Sequence, residues 1–202
     1  VPAPRIMFIV NPVAGTRRAP EETIRRVMDD LGAAYDVATT AAKGHGIDLA
    51  RRAVDDGYTI VVAVGGDGTL NEVGRGLMGT SVPMGIVPCG SGNALARYLG
   101  IPLAVEAACR LLPAAGTRRL DVGRIEDEIF LSSAGVGLDA EVCGRFNGRG
   151  DAKRGLGPYV VASVQTFLSF QPVEVRLALN DGPSFPVRPT LLTFANTGFS
   201  AA

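Results

Sequence analysis

Val61 to Arg75 reads VVAVGGDGTLNEVGR, and the reading of this stretch decides the fold. An apolar, β-branched run (Ile60, Val61, Val62, Val64) stops at Gly65-Gly66-Asp67-Gly68, and an amphipathic run begins at Thr69. The pattern predicts strand, tight turn and helix. Three glycines in four positions let the backbone take φ > 0 and leave no Cβ between the main chain and whatever approaches it. Thr69 with Glu72 three residues on fits a capping box, so the helix is expected to start there and aim its unpaired N–H groups at the turn. Such a start attracts anions, phosphate above all. Asp67 runs against that charge logic unless a divalent metal bridges it to the anion or the carboxylate accepts a proton during reaction. The competing structural reading is a plain βα connection whose Asp caps a helix.

Outward from this stretch the same alternation repeats. Arg5 to Val10 reads as a buried strand ending in the turn Asn11-Pro12-Val13-Ala14-Gly15. Pro20 with Glu21 and Glu22 suits the first turn of a helix reaching Leu31 and closed by Gly32. A short strand at Tyr35 to Ala38 ends at Thr39 and Thr40. Gly44-His45-Gly46 turns the chain, and Asp48 to Asp56 carries helix spacing through Leu49, Ala50, Ala53 and Val54. Beyond the opening stretch, Met84 to Val87 is strand-like, and Pro88-Cys89-Gly90-Ser91-Gly92-Asn93 leads to a helix from Ala94. Asn93 is its expected N-cap, and Gly100 with Pro102 its stop. A further helix is expected near Leu103 to Leu112.

Strands separated by helices of this length predict parallel βαβ units with helices on both faces of the sheet. Ligands of such sheets collect at the carboxyl ends of the strands. Asn11 to Gly15, Thr39 to Thr40, Gly65 to Gly68 and the loop around Ser91 all fall at those ends. Ser91 offers a hydroxyl that could meet a phosphate oxygen, with turn formation as its plainer role.

The pattern changes at Arg119. Ile129 to Ser132, the alternating Val173 to Leu179 and a run through Thr193 and Phe194 read as strands, with Asn180-Asp181-Gly182 as a hairpin turn. One helix is expected at Pro158 to Phe170. The second half is therefore expected to be mainly antiparallel β, and the domain boundary is placed near Leu120, giving 1–120 and 121–202. Arg145, Arg149, Lys153 and Arg154, offset by Asp151, read as a solvated basic loop, or as contacts to an anionic headgroup or phosphate. The stripe Tyr159, Val160, Val164, Phe167, Leu168 suits core packing, or one wall of an apolar cleft.

The chain has 202 residues, 47% of them hydrophobic, enough for a sizeable core. Its formal charge is zero and its pI about 6.8, which argues against nucleic-acid binding. Cys89, Cys109, Cys143 and the single His45 lack zinc-site spacing, so reduced, intracellular thiols are expected. No secretory signal is read at Val1 to Pro4, and no apolar run approaches the roughly 20 residues of a membrane span. A cytoplasmic protein is expected, with a peripheral visit to a membrane left open. Gly135-Val136-Gly137-Leu138-Asp139-Ala140 fits the dinucleotide fingerprint formally, but no acidic residue follows about 20 positions later. No Walker lysine motif occurs, and Cys89 stands where a nucleophile elbow before Ser91 needs glycine.

With these residues in place, the sequence resembles the diacylglycerol kinase catalytic-domain family, the lipid kinases that include bacterial diacylglycerol kinases and sphingosine kinases. The motifs carrying the resemblance are NPVAG at Asn11, Thr40 before the GHG turn, GGDGTLNEV at Gly65, PCGSGNALARYLGIP at Pro88, LDVGR at Leu120, AGVGLDA at Ala134 and NDG at Asn180. The resemblance implies an α/β nucleotide-binding domain, a carboxyl-terminal β-sandwich, and ATP with Mg²⁺ as cofactors. By motif, Asn11, Pro12, Val13, Ala14, Gly15, Thr40, Gly66, Asp67, Gly68, Thr69, Leu70, Asn71, Glu72 and Ser91 would line the ATP site, with Asp67 catalytic. The implied reaction is transfer of the γ-phosphoryl group to a lipid hydroxyl, on diacylglycerol or a sphingoid base at a membrane surface. Homodimerisation is left open. NAD kinases share the GGDG turn, but Asn71-Glu72-Val73 looks like the lipid kinases. A nucleotide-binding fragment without catalysis is the other alternative. The family continues past Asn196-Thr197-Gly198 into a glycine-rich segment and an acidic stretch that supplies metal contacts and the proposed base, so this chain, ending at Ala202, is expected to be truncated.

Overall fold

The computed structural model describes residues 4–15, 20–114, 116–147 and 156–197, with the backbone alone at 139, 143, 145–147 and 156–162. Its first half alternates β1 (Arg5–Val10), α1 (Pro20–Asp30), β2 (Ala34–Thr39), α2 (His45–Asp55), β3 (Ile60–Gly65), α3 (Asp67–Leu77), β4 (Met84–Pro88), α4 (Ala94–Tyr98) and α5 (Val105–Leu111). The second half comprises β5 (Gly123–Ile125), β6 (Glu128–Phe130), β7 (Ser133–Gly137), α6 (Leu138–Asn147), α7 (Leu156–Ser169), β8 (Val175–Leu177), β9 (Phe185–Val187) and β10 (Leu191–Ala195).

The four strands of the first half form a parallel sheet in the order β2-β1-β3-β4. Period-two alternation along the central strands sends side chains to both faces. Ile6, Phe8 and Val10 of β1, with Val62 and Val64 of β3, pack against Ile24, Val27 and Met28 of α1 and Cys109 of α5. Ile9, Val61 and Ala63 face the other way, onto Ala50 and Ala53 of α2, Leu70 and Val73 of α3 and Leu95 of α4. The sheet is thus covered on both sides, as its near-continuous apolar strands require. Strand order reverses between β1 and β3, so the loops leaving them part to opposite faces and open a crevice at their carboxyl ends.

The chain divides into two compact units, Val1–Ser132 with Ala195–Ala202, and Ser133–Phe194. In the first, β5 and β6 form an antiparallel hairpin, Gly123 opposite Phe130. In the second, β8 pairs antiparallel with β9, and β7 pairs with β10. Asn180 and Asp181 both take positive φ, 49° and 59°, and the Gly182 N–H donates to the Leu179 carbonyl at 2.9 Å. These are the two left-handed central residues that the Asn-Asp-Gly turn predicts.

Two expectations are corrected. Helix α2 begins at His45 and α3 at Asp67, three and two residues before the expected Asp48 and Thr69. Helix α6, which takes in Arg145 of the expected basic loop, is a second helix in a half expected to hold one, and Val142, buried at 4%, anchors it. Arg149, Asp151, Lys153 and Arg154 lie outside the described residues, as do the side chains of Arg145, Tyr159 and Val160.

Candidate functional site

Four loops meet at the carboxyl edge of the parallel sheet, and α3 ties them together. Its N-terminus follows Gly66, and no side chain caps it. The first-turn N–H groups of a helix have no intrahelical acceptor, and they carry the positive end of the helix dipole. At Gly68 a Cβ would meet nothing within 4 Å, so the second residue of the helix faces open space. An anion can reach this turn.

Asp67 opens α3, yet its carboxylate serves the next helix along the chain, α4. The Ala94 N–H donates to Oδ2 at 3.2 Å and the Leu95 N–H to Oδ1 at 3.3 Å. Asp67 therefore caps α4 from outside. Asn93, expected to do this, stands at the N-cap position with φ 52° and makes no cap bond. Its amide closes the preceding loop, with Oδ1 accepting from the Gly90 N–H at 2.9 Å and Nδ2 donating to the Gly90 carbonyl at 2.7 Å.

The capping box expected from Thr69 and Glu72 does not form, because both side chains reach other loops. Asn11 Nδ2 donates to Thr69 Oγ1 at 3.0 Å, while Asn11 Oδ1 accepts from the Val13 N–H at 3.1 Å and shapes the turn after β1. Glu72 crosses to α2, its two oxygens accepting from the Gly44 N–H at 2.9 Å and the Gly46 N–H at 3.1 Å. A carboxylate at a helix N-terminus is stabilised by that helix's dipole. Asn71 accepts from the Leu131 N–H at 3.2 Å, and Asn196 donates to the Leu131 carbonyl at 3.0 Å, so this pair of amides holds one residue from both sides.

Glycines set how closely the loops approach. A Cβ at Gly90 would stand 2.5 Å from Gly66 Cα, and one at Gly15, where φ is +69°, only 1.8 Å from the Cys89 carbonyl oxygen. The Thr40 N–H donates to the Val10 carbonyl at 2.9 Å, which fixes the loop after β2 beside β1.

The structure thus joins Asn11 to Thr69, Gly15 to Cys89, Gly66 to Gly90, Asp67 to α4 and Glu72 to the Gly44–Gly46 turn. Ser91, Pro12 and Val13 are exposed on the same loops, and Ala14 is half-buried. Leu70 is 2% exposed within the core. Gly90, Gly44 and Gly46 were absent from the residues assigned by motif. Their only signal in the sequence is a small residue in a turn, because each contact depends on a loop distant along the chain. Among the described residues no group of three or more His, Cys, Asp or Glu could hold a metal ion.

Residues 5–125 match a family described as the diacylglycerol kinase catalytic domain. Among curated proteins, the chain is 34% identical over 165 residues to a Chromohalobacter salexigens protein named "Probable lipid kinase YegS-like", covering 80% of this chain and 53% of that one. It is 33% identical over 155 residues to a diacylglycerol kinase of Mycobacterium tuberculosis, covering 74% and 50%. The chain therefore spans about half the length of these curated relatives. A crystal structure of a diacylglycerol kinase from Bacillus anthracis shares the fold with a TM-score of 0.71 at 22% identity, covering 96% of this chain and 65% of that one.

Proposed function

Because this chain belongs to the family of diacylglycerol kinase catalytic domains, we propose that it forms the ATP-binding part of a kinase that transfers the γ-phosphoryl group to a lipid hydroxyl. The observation that carries this reading is the uncapped, open N-terminus of α3, with the loops after β1, β2 and β4 bonded or packed around it. Phosphoryl transfer depends on positioning and charge stabilisation, which backbone N–H groups and small polar side chains provide.

Under this reading Asp67 and Gly68 present main-chain N–H groups to the phosphates, and Asn11 and Thr69 hold the flanking turn. Each carboxylate oxygen of Asp67 retains a free lone-pair site after accepting one N–H. A bound Mg²⁺ neutralises charge on the phosphates, and needs only one or two carboxylates when phosphate oxygens complete its shell. Asp67 fits that single-carboxylate role, or that of accepting the acceptor hydroxyl's proton.

The experiment is a phosphate-transfer screen of this chain, and of the full-length polypeptide containing it, with diacylglycerol, sphingosine, a glycerophospholipid and NAD as acceptors. Product with a lipid supports the reading, and product with NAD alone overturns it. A second reading, nucleotide binding without transfer, draws on the engagement of both Asp67 oxygens by α4. It predicts ATP binding by both polypeptides and no product from either.

A further inference from the structure

On the first unit, away from the four loops, a cleft of about 630 Å³ runs beside β4, where the carboxyl ends of α3, α4 and α5 come together. Its volume falls within the range of small-molecule sites. Ile86, Leu95 and Leu131, at 5%, 1% and 7% exposure, belong to its walls. At its rim stand Met78 and Leu111, 52% and 46% exposed, although both are large and apolar. Gly74 and Gly85 keep the walls low, since a Cβ at either would crowd Leu131 or Leu112.

Among the described residues, Arg118 is the only charged side chain lining this cleft. Its guanidinium lies 5.8 Å from the centroid of the Tyr98 ring, and no carboxylate pairs with it among the described residues. The Thr80 hydroxyl is already satisfied, donating to the Leu77 carbonyl and accepting from the Val82 N–H. The cleft thus combines a long apolar wall with one unneutralised cation.

We propose that this cleft binds a single-chain anionic amphiphile, its alkyl chain lying along the accessible apolar lining of Met78, Leu99, Leu111 and Leu112 and its carboxylate or phosphate head meeting Arg118. Apolar burial would supply most of the affinity, and Arg118, braced by Tyr98, would select the anion. An inserted peptide strand is the rival occupant, since β4 pairs only with β3 among the described residues. A strand would call for a row of side-chain pockets, whereas the cleft offers one charge and a continuous apolar wall. The site is independent of the proposed phosphoryl transfer.

Decanoate and decanol, which share a chain and differ in head charge, provide the test by amide chemical-shift titration of the full-length polypeptide. Decanoate is expected to shift Gly74, Met78 and Leu111, and to bind more tightly than decanol. Arg118→Gln should weaken decanoate about tenfold, the loss of one charged contact, and leave decanol unchanged. Met78→Glu, at an exposed position the fold tolerates, should abolish decanoate binding. Equal affinity for the two probes, insensitivity to Arg118→Gln, or no shifts because the polypeptide's own chain fills the cleft would each overturn the proposal.

Discussion

Asp67 carries two roles that substitutions can separate. Its carboxylate caps α4, so Asp67→Ala should lower stability by about 1 kcal/mol, the usual loss of a helix cap. Asp67→Asn keeps one of the two oxygen acceptors and sets an NH₂ donor against the other N–H, so its stability should fall between the parent and Asp67→Ala. If Asp67 also serves transfer, the Asn variant of the full-length polypeptide should lose activity under conditions where a urea titration shows it still folded; full turnover would leave Asp67 a cap and nothing more. Glu72 has the opposite character, with both oxygens accepting from the Gly44–Gly46 turn. Glu72→Ala should cost about 1–3 kcal/mol, since it strands two N–H groups, and nucleotide affinity should fall with it. Gly15→Ala combines a left-handed φ with a Cβ 1.8 Å from a backbone oxygen, and no rotamer relieves that collision. Cys109 is chemically quiet: burial, with smaller contributions from Cys89 and Glu106, pushes its thiol up to about 12. Iodoacetamide at about pH 8 should leave Cys109 unmodified in the folded protein and alkylate it in urea, as peptide mass spectrometry would show.

Elements whose evidence is local were legible in the sequence. The β-branched run before Gly65 and the apolar spacing of Ala50, Ala53 and Val54 depend on neighbours a few residues away, and β3 and α2 form there. Helix starts were less legible, because their caps come from afar. Glu72 lies 26 and 28 residues from the glycines it caps, and Asp67 lies 27 and 28 from the N–H groups of α4. A motif such as Thr-x-x-Glu reports local capping only, so it misplaced the start of α3 once both side chains had distant partners. Between α1 and α5 the same limit applies to charge. Arg26 and Arg110 bond Glu106 at 2.8 and 3.1 Å, and Arg110 also reaches Asp30 at 3.2 Å. The Arg26 guanidinium, then that of Arg110, holds the Glu106 carboxyl below its usual value of 4.5. A carboxyl lowered in the fold contributes stability above its unfolded pKa and loses it as pH falls through the folded one. The stability gap between parent and Glu106→Gln should therefore be open at neutral pH and close in acid below 4.5. A gap unchanged at about pH 3 in urea titrations would contradict this assignment.

At the scale of the whole molecule, the candidate site stands on the part of the chain with the deepest burial. Ile6, Phe8, Ile9 and Val10 of β1, and Val61 to Val64 of β3, are at most 1% exposed, and each strand is bonded on both sides. In β8 and β9, by contrast, three-residue strands pair only with each other among the described residues, and Phe185 is 44% exposed. Local opening is governed by buried contacts and by the solvent exposure of backbone bonds. Amide exchange should accordingly be slowest in β1 and β3 and faster by orders of magnitude in β8 and β9. This gradient suits phosphate positioning, which tolerates little displacement, because the turns at Asn11 and Gly66 leave directly from the two most protected strands. Adding a non-hydrolysable ATP analogue should then slow exchange at Asn11–Gly15 and at 66–69 while leaving the β8–β9 amides unchanged. Protection appearing only elsewhere in the chain would remove the α3 N-terminus from the nucleotide site, whatever the family relationship.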